Sequence, residues 1–244
     1  MIEACKLKRV ESVFAWINRG MLRKHFFAHH LRGRHQLDSV NLSEPVIFYS
    51  NHSCWWDGLL AFHLSHDVFR LDGVLMMDVQ QLQKYRFFRW IGAFSVDREN
   101  REEALVSIEY AVAQLQVHHR VLWMYPQGVM LPNDVRPLVF YPGLLHIAKR
   151  LPSVQLIPVV HHYEFLGEQR PEAFSSIGRV VRIEPGNELD PKSLTREFQE
   201  RLTFELNTLR DDVIMRRFET FTPTLRGKHS INIAYDHARG HSFS

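Results

Sequence analysis

The stretch Asn51-His52-Ser53-Cys54-Trp55-Trp56-Asp57-Gly58 lies between a strand-like run and a helix-like one. Before it, Pro45 to Ser50 gathers β-branched and aromatic residues behind a proline, the signature of a strand. After it, Trp56, Leu59, Leu60 and Leu64 recur at helical spacing, with Ser53 available as an N-cap. Residues five apart in one continuous helix point about 140° apart. His52 and Asp57 therefore meet only if His52 precedes the helix and Asp57 lies in its first turn or two. A strand-to-helix junction supplies that arrangement. The helix dipole favours a carboxylate there, and an ionised Asp57 would hold the imidazole in one tautomer, leaving a base ready to deprotonate a hydroxyl. No serine stands in a GxSxG turn, so the hydroxyl is expected to belong to the substrate.

Asn51-His52 followed by Asp57 resembles the NHxxxxD block of the glycerolipid and lysophospholipid acyltransferase superfamily, 1-acylglycerol-3-phosphate acyltransferases among them. Three later stretches match its further blocks in order. Gly92-Ala93-Phe94-Ser95-Val96-Asp97-Arg98 resembles the second, a glycine-led apolar run ending in arginine. Tyr125-Pro126-Gln127-Gly128 resembles the third, usually Phe-Pro-Glu-Gly-Thr-Arg, and Leu156-Ile157-Pro158-Val159 the fourth. The resemblance implies transfer of a fatty acyl group from acyl-CoA or acyl-acyl carrier protein to a lysophospholipid hydroxyl, such as that of lysophosphatidate. His52 would be the base and Asp57 its orienter, with no acyl-enzyme, no metal and no bound organic cofactor. Asn51, Arg98, Gln127 and Gly128 would meet substrate, Arg98 through the acceptor's phosphate, and backbone amides around Gly128 would receive the oxyanion.

The third block departs from the family pattern. Gln127 replaces Glu, and Val129 and Met130 replace Thr and Arg, so one expected phosphate contact is missing. Arg136 is the candidate to reach back in its place. The departure admits a neutral or glycosylated lipid alcohol as an alternative acceptor. Two rivals from other classes are a thioesterase using water and a catalytically silent lipid-binding scaffold.

With 244 residues and 45% hydrophobic content, the chain can bury one substantial core, and a single α/β domain with a mixed, largely parallel sheet is expected. The net charge of +3 and the lack of a nucleic-acid motif argue against nucleic acid as a partner. Cys5 and Cys54 form neither a metal-ligand spacing nor a disulfide framework, which fits a reducing compartment. No signal-peptide pattern and no run of about 18 apolar residues occurs, so a cytoplasmic protein lying on a membrane surface is expected.

Residues 1–35 read as a basic amphipathic helical segment. Val10, Val13, Phe14, Ile17, Met21 and Leu22 form its apolar face, and Lys6, Lys8, Arg9, Arg19, Arg23 and Lys24 the other, a pattern suited to an anionic bilayer interface. His25 and His29, four apart, are expected to meet solvent or headgroups, since no further metal ligand stands near. Residues 36–221 read as the catalytic domain. Within it the patterns predict strands at 73–77, 120–125, 154–160 and 177–183, and helices at 80–90, across Leu105 to Leu115, from 142 to about 150, and across Phe198 to Leu209. Pro158 would demote its strand from the sheet centre unless a bulge or edge accommodates it. Residues 222–244 read as a flexible tail.

Overall fold

The computed structural model describes residues 1–184 and 190–228. The expected strand before Asn51 is present as Val46–Ser50 (β2), buried at every residue, as a continuous apolar run sandwiched between helical layers must be. It sits near the middle of a nine-stranded sheet whose other strands are Ala28–Arg32 (β1), Asp72–Asp78 (β3), Ala93–Val96 (β4), Arg120–Met124 (β5), Val154–Glu164 (β6), Glu172–Ile177 (β7), Val181–Ile183 (β8) and Thr222–Arg226 (β9). The order is β4-β3-β5-β2-β6-β7-β1-β9, with β8 also paired to β6. The half from β4 to β6 is wholly parallel, and β7 and β8 run antiparallel to β6. β1 runs parallel to β7 and antiparallel to β9. The expected α/β domain with a mixed, mostly parallel sheet is what the chain forms.

Helices cover both faces. Arg101–Leu115 (α4), Gly143–Ala148 (α5) and Pro191–Ile214 (α6) pack on one, closing a core that contains Ile47, Tyr49, Leu122, Ile108, Leu144 and Phe198. Lys8–His25 (α1) and Trp56–His63 (α2) lie on the other, where Phe14, Leu22 and Leu60 pack together. α2 runs on through a π-helical turn, Leu64–Phe69.

Several elements depart from the sequence expectations. The helix at 80–90 is two pieces, Val79–Lys84 (α3) and a 3-10 turn at Arg86–Ile91. Tyr85 breaks them with a non-helical backbone, and the three-residue period of the second piece fits Phe88 and Ile91 inward. The strand at 177–183 is also two, because Gly178 to Val180 cross from β7 to β8 along the same side of β6. That crossing explains Pro158, which lies in the sheet centre and not at an edge. Its carbonyl accepts from Gly178 N at 2.9 Å, so the N–H it lacks would point into the gap between β7 and β8, where no ladder partner is forfeited. A Cβ on Gly178 would come within 2.8 Å of the proline ring, so only glycine fits the crossing.

The tail expected from residue 222 begins instead as a strand, since Thr222–Arg226 pairs antiparallel with β1 and buries Leu225. Pro223 is tolerated because β9 is an edge strand with a register shift beside it. The rest of the proposed tail, 229–244, lies outside the described residues. α1 is present but its apolar residues divide: Phe14 and Leu22 dock on α2, while Val13 (58% exposed), Trp16 (70%) and Ile17 (43%) face outward. His25 and His29 do not share a helix face, because His25 ends α1 and His29 is buried in β1. No helix among the described residues is long and apolar enough to cross a membrane.

Candidate active site

His52 sits where the chain leaves β2, and Asp57 lies in the first turn of α2, as the spacing argument requires. His52 Nδ1 is 2.9 Å from Asp57 Oδ2. The carboxylate folds back over the helix start and accepts from the backbone N–H of Ser53 at 2.6 Å and of Cys54 at 2.9 Å. Ser53 is therefore not the cap; the aspartate holds these free amides itself. The other oxygen, Oδ1, accepts from the Tyr163 hydroxyl at 2.5 Å. Burial pushes the Asp57 carboxyl up. The hydrogen bond from His52, the fields of His161 and His52, and the Cys54 amide outweigh it, so the acid is held below its ordinary range. Since a carboxylate only accepts, Asp57 fixes the proton of His52 on Nδ1 and leaves Nε2 bare.

The imidazole is held from behind as well. Its ring stacks on Tyr125, centroids 4.4 Å apart at 21°. Its backbone N–H donates to Gln127 Oε1 at 2.8 Å, and its carbonyl accepts from Leu131 N at 2.9 Å. Gln127, expected to meet substrate, is buried and not in the cavity lining, and its side chain braces the base. A glutamine supplies that acceptor as well as a glutamate would. Asn51 is likewise internal: its side-chain amide pairs with both backbone groups of His161, at 2.8 and 3.0 Å, tying the end of β2 to β6.

His52 opens onto a cavity of about 240 Å³ lined mainly by apolar side chains, among them Phe14, Leu59, Phe62, Val74, Phe88 and Ile91. Deep in it, Trp123 Nε1 donates to Ser65 Oγ at 2.6 Å beside Gly73, where a Cβ would meet that hydroxyl at 2.9 Å. Arg98, Gly128 and Tyr141 belong to the same lining as His52. The guanidinium rests over the Tyr141 ring, 5.4 Å from its centroid, and 3.6 Å from Asp78. Gly128 makes that placement possible, since it has φ +67° and a Cβ there would come 2.5 Å from Arg98 Nη1. Its own N–H is committed to Tyr125 O at 2.9 Å. Around the turn the amides of Gln127, Val129 and Met130 have no backbone acceptor among the described residues, and the last two follow Gly128, itself in the cavity lining.

Arg136 is not in the lining. Its guanidinium donates to Asn207 Oδ1 at 2.7 Å and to the carbonyls of Asn133 and Val135, an anchor between the loop and α6. The missing third-block arginine has no substitute there. Cys54, close to Asp57, is no nucleophile, because burial and then the Asp57 charge push its thiol up to about 11. Among the described residues no group of three or more His, Cys, Asp or Glu is placed to hold a metal ion.

The sequence reading missed Tyr163 and Tyr125. Tyr125 stands in the third block and its aromatic ring was visible. Tyr163 reaches Asp57 only because β6 runs on past the fourth block, to Glu164.

Comparison with known proteins bears on this geometry. An acyltransferase family model matches residues 31–162, more than half of the chain. A Saccharomyces cerevisiae 1-acyl-sn-glycerol-3-phosphate acyltransferase is 23% identical over 122 residues, 48% of this chain and 38% of that protein. A Caenorhabditis elegans protein provisionally named a 1-acyl-sn-glycerol-3-phosphate acyltransferase is 25% identical over 191 residues, 76% of this chain and 63% of that one. The chain thus spans less than two thirds of the length of these relatives. Among solved structures, the Legionella pneumophila ATPase DotB aligns over 84% of this chain and 63% of that one at 10% identity, with a TM-score of 0.36, too low to bear on fold or function. The matched segment runs from β1 through β6 and contains the His52–Asp57 pair, Arg98 and the Gly128 turn; the chain belongs to the acyltransferase family.

Proposed function

We propose that the chain transfers a fatty acyl group from a thioester donor, acyl-CoA or acyl-acyl carrier protein, to the hydroxyl of a lysophospholipid such as lysophosphatidate. The observation that carries this reading is that the bare Nε2 of His52 faces an apolar cavity whose lining also holds the Arg98 guanidinium. His52 takes the proton of the acceptor hydroxyl while that oxygen bonds to the thioester carbonyl carbon. The C–S bond then breaks and the imidazolium returns the proton to the departing thiolate. Asp57 stabilises the imidazolium in between. No acyl-enzyme forms on this path. The amides of Val129 and Met130 are the donors offered to the oxyanion. The acyl chain occupies the apolar part of the cavity, and Arg98 takes the acceptor's phosphate through its planar fork.

The chain is proposed to meet its lipid substrates at a bilayer surface. Val13, Trp16 and Ile17 project from α1 between Lys8 and Arg9 at one end and Arg23 and Lys24 at the other, and all seven are exposed. Phe87 and Trp90 lie alongside, also exposed. Apolar and aromatic side chains ringed by cations suit an interface carrying anionic lipid.

The deciding experiment measures thiol release from acyl-CoA and from acyl-acyl carrier protein, with and without lysophosphatidate, other lysophospholipids and neutral lipid alcohols, and identifies the acylated product. Release that needs a lysophospholipid and is lost in His52→Ala supports the reading. Release of free fatty acid regardless of acceptor would make it a thioesterase, and a preference for neutral alcohols would remove phosphate recognition.

A further inference from the structure

A chain of buried polar side chains unconnected with substrate runs through the layer between the sheet and α2. It starts at Asp67, in the π-helical turn after α2, whose Oδ2 is 2.9 Å from His63 Nδ1. His63 Nε2 is 3.3 Å from Thr224 Oγ1 on β9, and that hydroxyl is 2.6 Å from His29 Nδ1 on β1. His29 Nε2 is 2.8 Å from Ser175 Oγ on β7, which is 2.7 Å from His161 Nδ1 on β6. His29, His63, His161 and Ser175 are all buried. At the far end, His161 Nε2 is buried with no partner. The Asp57 and His52 charges are the ones that reach this ring.

One end fixes every proton in the series. Asp67 can only accept, so His63 carries its proton on Nδ1 and offers Nε2 as an acceptor. Thr224 must then donate to His63 and accept from His29 Nδ1. Ser175 must donate to His29 Nε2 and accept from His161 Nδ1. Each hydroxyl has one proton and each neutral imidazole one, so the assignment is unique for neutral rings. It leaves His161 with a bare Nε2 as a neighbour of the catalytic pair.

We propose that this chain is a positioning device for that pair, holding His161 uncharged in its Nδ1–H tautomer so that Asp57 keeps its full charge for His52. The inference rests on the reading of His52 as a base. With the chain cut, His161 is free to carry its proton on Nε2, where no acceptor among the described residues stands within hydrogen-bond reach, and the changed ring acts through space on the Asp57 charge that already reaches it. The carboxylate then supports the imidazolium less, and His52 is a weaker base. Burial, aided by His52 and opposed by Asp57, already lowers His161 to about 4, in keeping with a neutral ring. His29 is lowered by burial and then by His63, His161 and His30, the last of which is paired with Glu172. Asp67 is held by Arg19 and His66 as well as His63. Tyr163, two residues along β6, keeps its bond to Asp57 throughout.

Two measurements test this. The first is histidine-selective nitrogen NMR of the full chain at pH 7, with signals assigned by single substitutions. His29 and His161 are expected as neutral Nδ1–H rings; an Nε2–H or doubly protonated His161 overturns the proposal, whatever reaction the protein performs. The second is the pH profile of kcat/KM for Thr224→Val, which removes the middle hydroxyl at a site away from the cavity. Its acid limb is expected to move to lower pH by roughly half a unit or more, with a lower plateau, and Thr224→Ser is expected to restore both. A Thr224→Val enzyme with a lowered Tm but an unmoved acid limb would make the chain a structural network only.

Discussion

Two of the histidine–aspartate pairs among the described residues share one internal geometry and have opposite circumstances. His52–Asp57 and His63–Asp67 both place Nδ1 at 2.9 Å from Oδ2. In the first, Nε2 opens to an apolar cavity, and backbone amides and a tyrosine hydroxyl hold the carboxylate. In the second, Nε2 is occupied by Thr224, and Arg19 and a second histidine hold the carboxylate. The distance inside a pair therefore does not make a base. A free second nitrogen facing room for a substrate does, together with a carboxylate whose charge is held by neutral dipoles and left for the imidazole, and not shared with a cation.

Replacing the carboxylates breaks the comparison most forcefully. Asp57→Asn puts an amide donor against Nδ1, turning the ring to the wrong tautomer, and kcat is expected to fall on the order of 10²- to 10⁴-fold in the acyl-transfer assay. Asp67→Asn is expected to lower Tm and to reduce kcat less than about tenfold at the plateau pH, since it lies outside the cavity. Equal losses in the two variants would mean that the cavity is not what distinguishes the pairs.

The surroundings of the free nitrogen give the next largest effect. Arg98→Ala is expected to raise the KM for a phosphate-bearing acceptor roughly 10- to 100-fold, the worth of one charge-assisted contact, with little change for the thioester donor. Arg136→Ala, anchored on Asn207 away from the lining, is expected to leave both KM values in place. An unmoved acceptor KM in Arg98→Ala would sink phosphate recognition by that side chain.

How far this pair was legible in the sequence follows from how local its parts are. The strand Val46–Ser50, the turn and the first turn of α2 are contiguous, so hydrophobic pattern and helical geometry were enough to bring His52 and Asp57 together. The glycine of the third block was likewise readable as a close approach, although Arg98, which it admits, comes from another strand end. Roles that depend on strand order were not readable. Asn51 and Gln127 look like substrate ligands beside the histidine, and only the packing of β6 and the loop after β5 turns them inward. Arg136 lies against α6 and not in the cavity lining, a placement the sequence could not give because sequence distance says nothing about which face of a loop meets a helix. β9 is five residues with a proline, too short and too polar to announce a strand, and only its pairing with β1 brings Thr224 between His29 and His63. Helical spacing also overstated the unity of the apolar face of α1, since it could not foresee that Trp16 and Val13 stay outside while Phe14 docks.

Tyr163 sharpens the contrast in how the carboxylates are held. Tyr163→Phe removes one donor from Asp57 without altering the ring that stacks on Phe26. A buried carboxylate that loses one hydrogen bond costs about 1–3 kcal/mol, shared between stability and the support of the imidazolium, so kcat is expected to drop roughly tenfold with a modest fall in Tm. A kcat matching the wild type would mean that the backbone amides of Ser53 and Cys54 suffice to hold Asp57.

The smallest effect belongs to the cation on the second pair. Burial pushes Asp67 up, but the hydrogen bonds from His63 and His66, then the fields of His63 and Arg19, hold its carboxyl far below the ordinary range. A carboxyl depressed by folding contributes stability that is complete above the ordinary carboxylate range and is lost as pH falls through its folded value. Arg19 keeps its charge throughout, so its share appears only while Asp67 is ionised. Arg19→Ala is therefore expected to cost under about 1 kcal/mol near pH 7, as suits a half-exposed arginine, with kcat unchanged because Arg19 touches neither the cavity nor the catalytic pair. Denaturant unfolding of the two proteins from pH 7 downward should give curves that converge in acid. A gap that widens as Asp67 takes up its proton would show that Arg19 supports the fold by some contact other than this carboxylate.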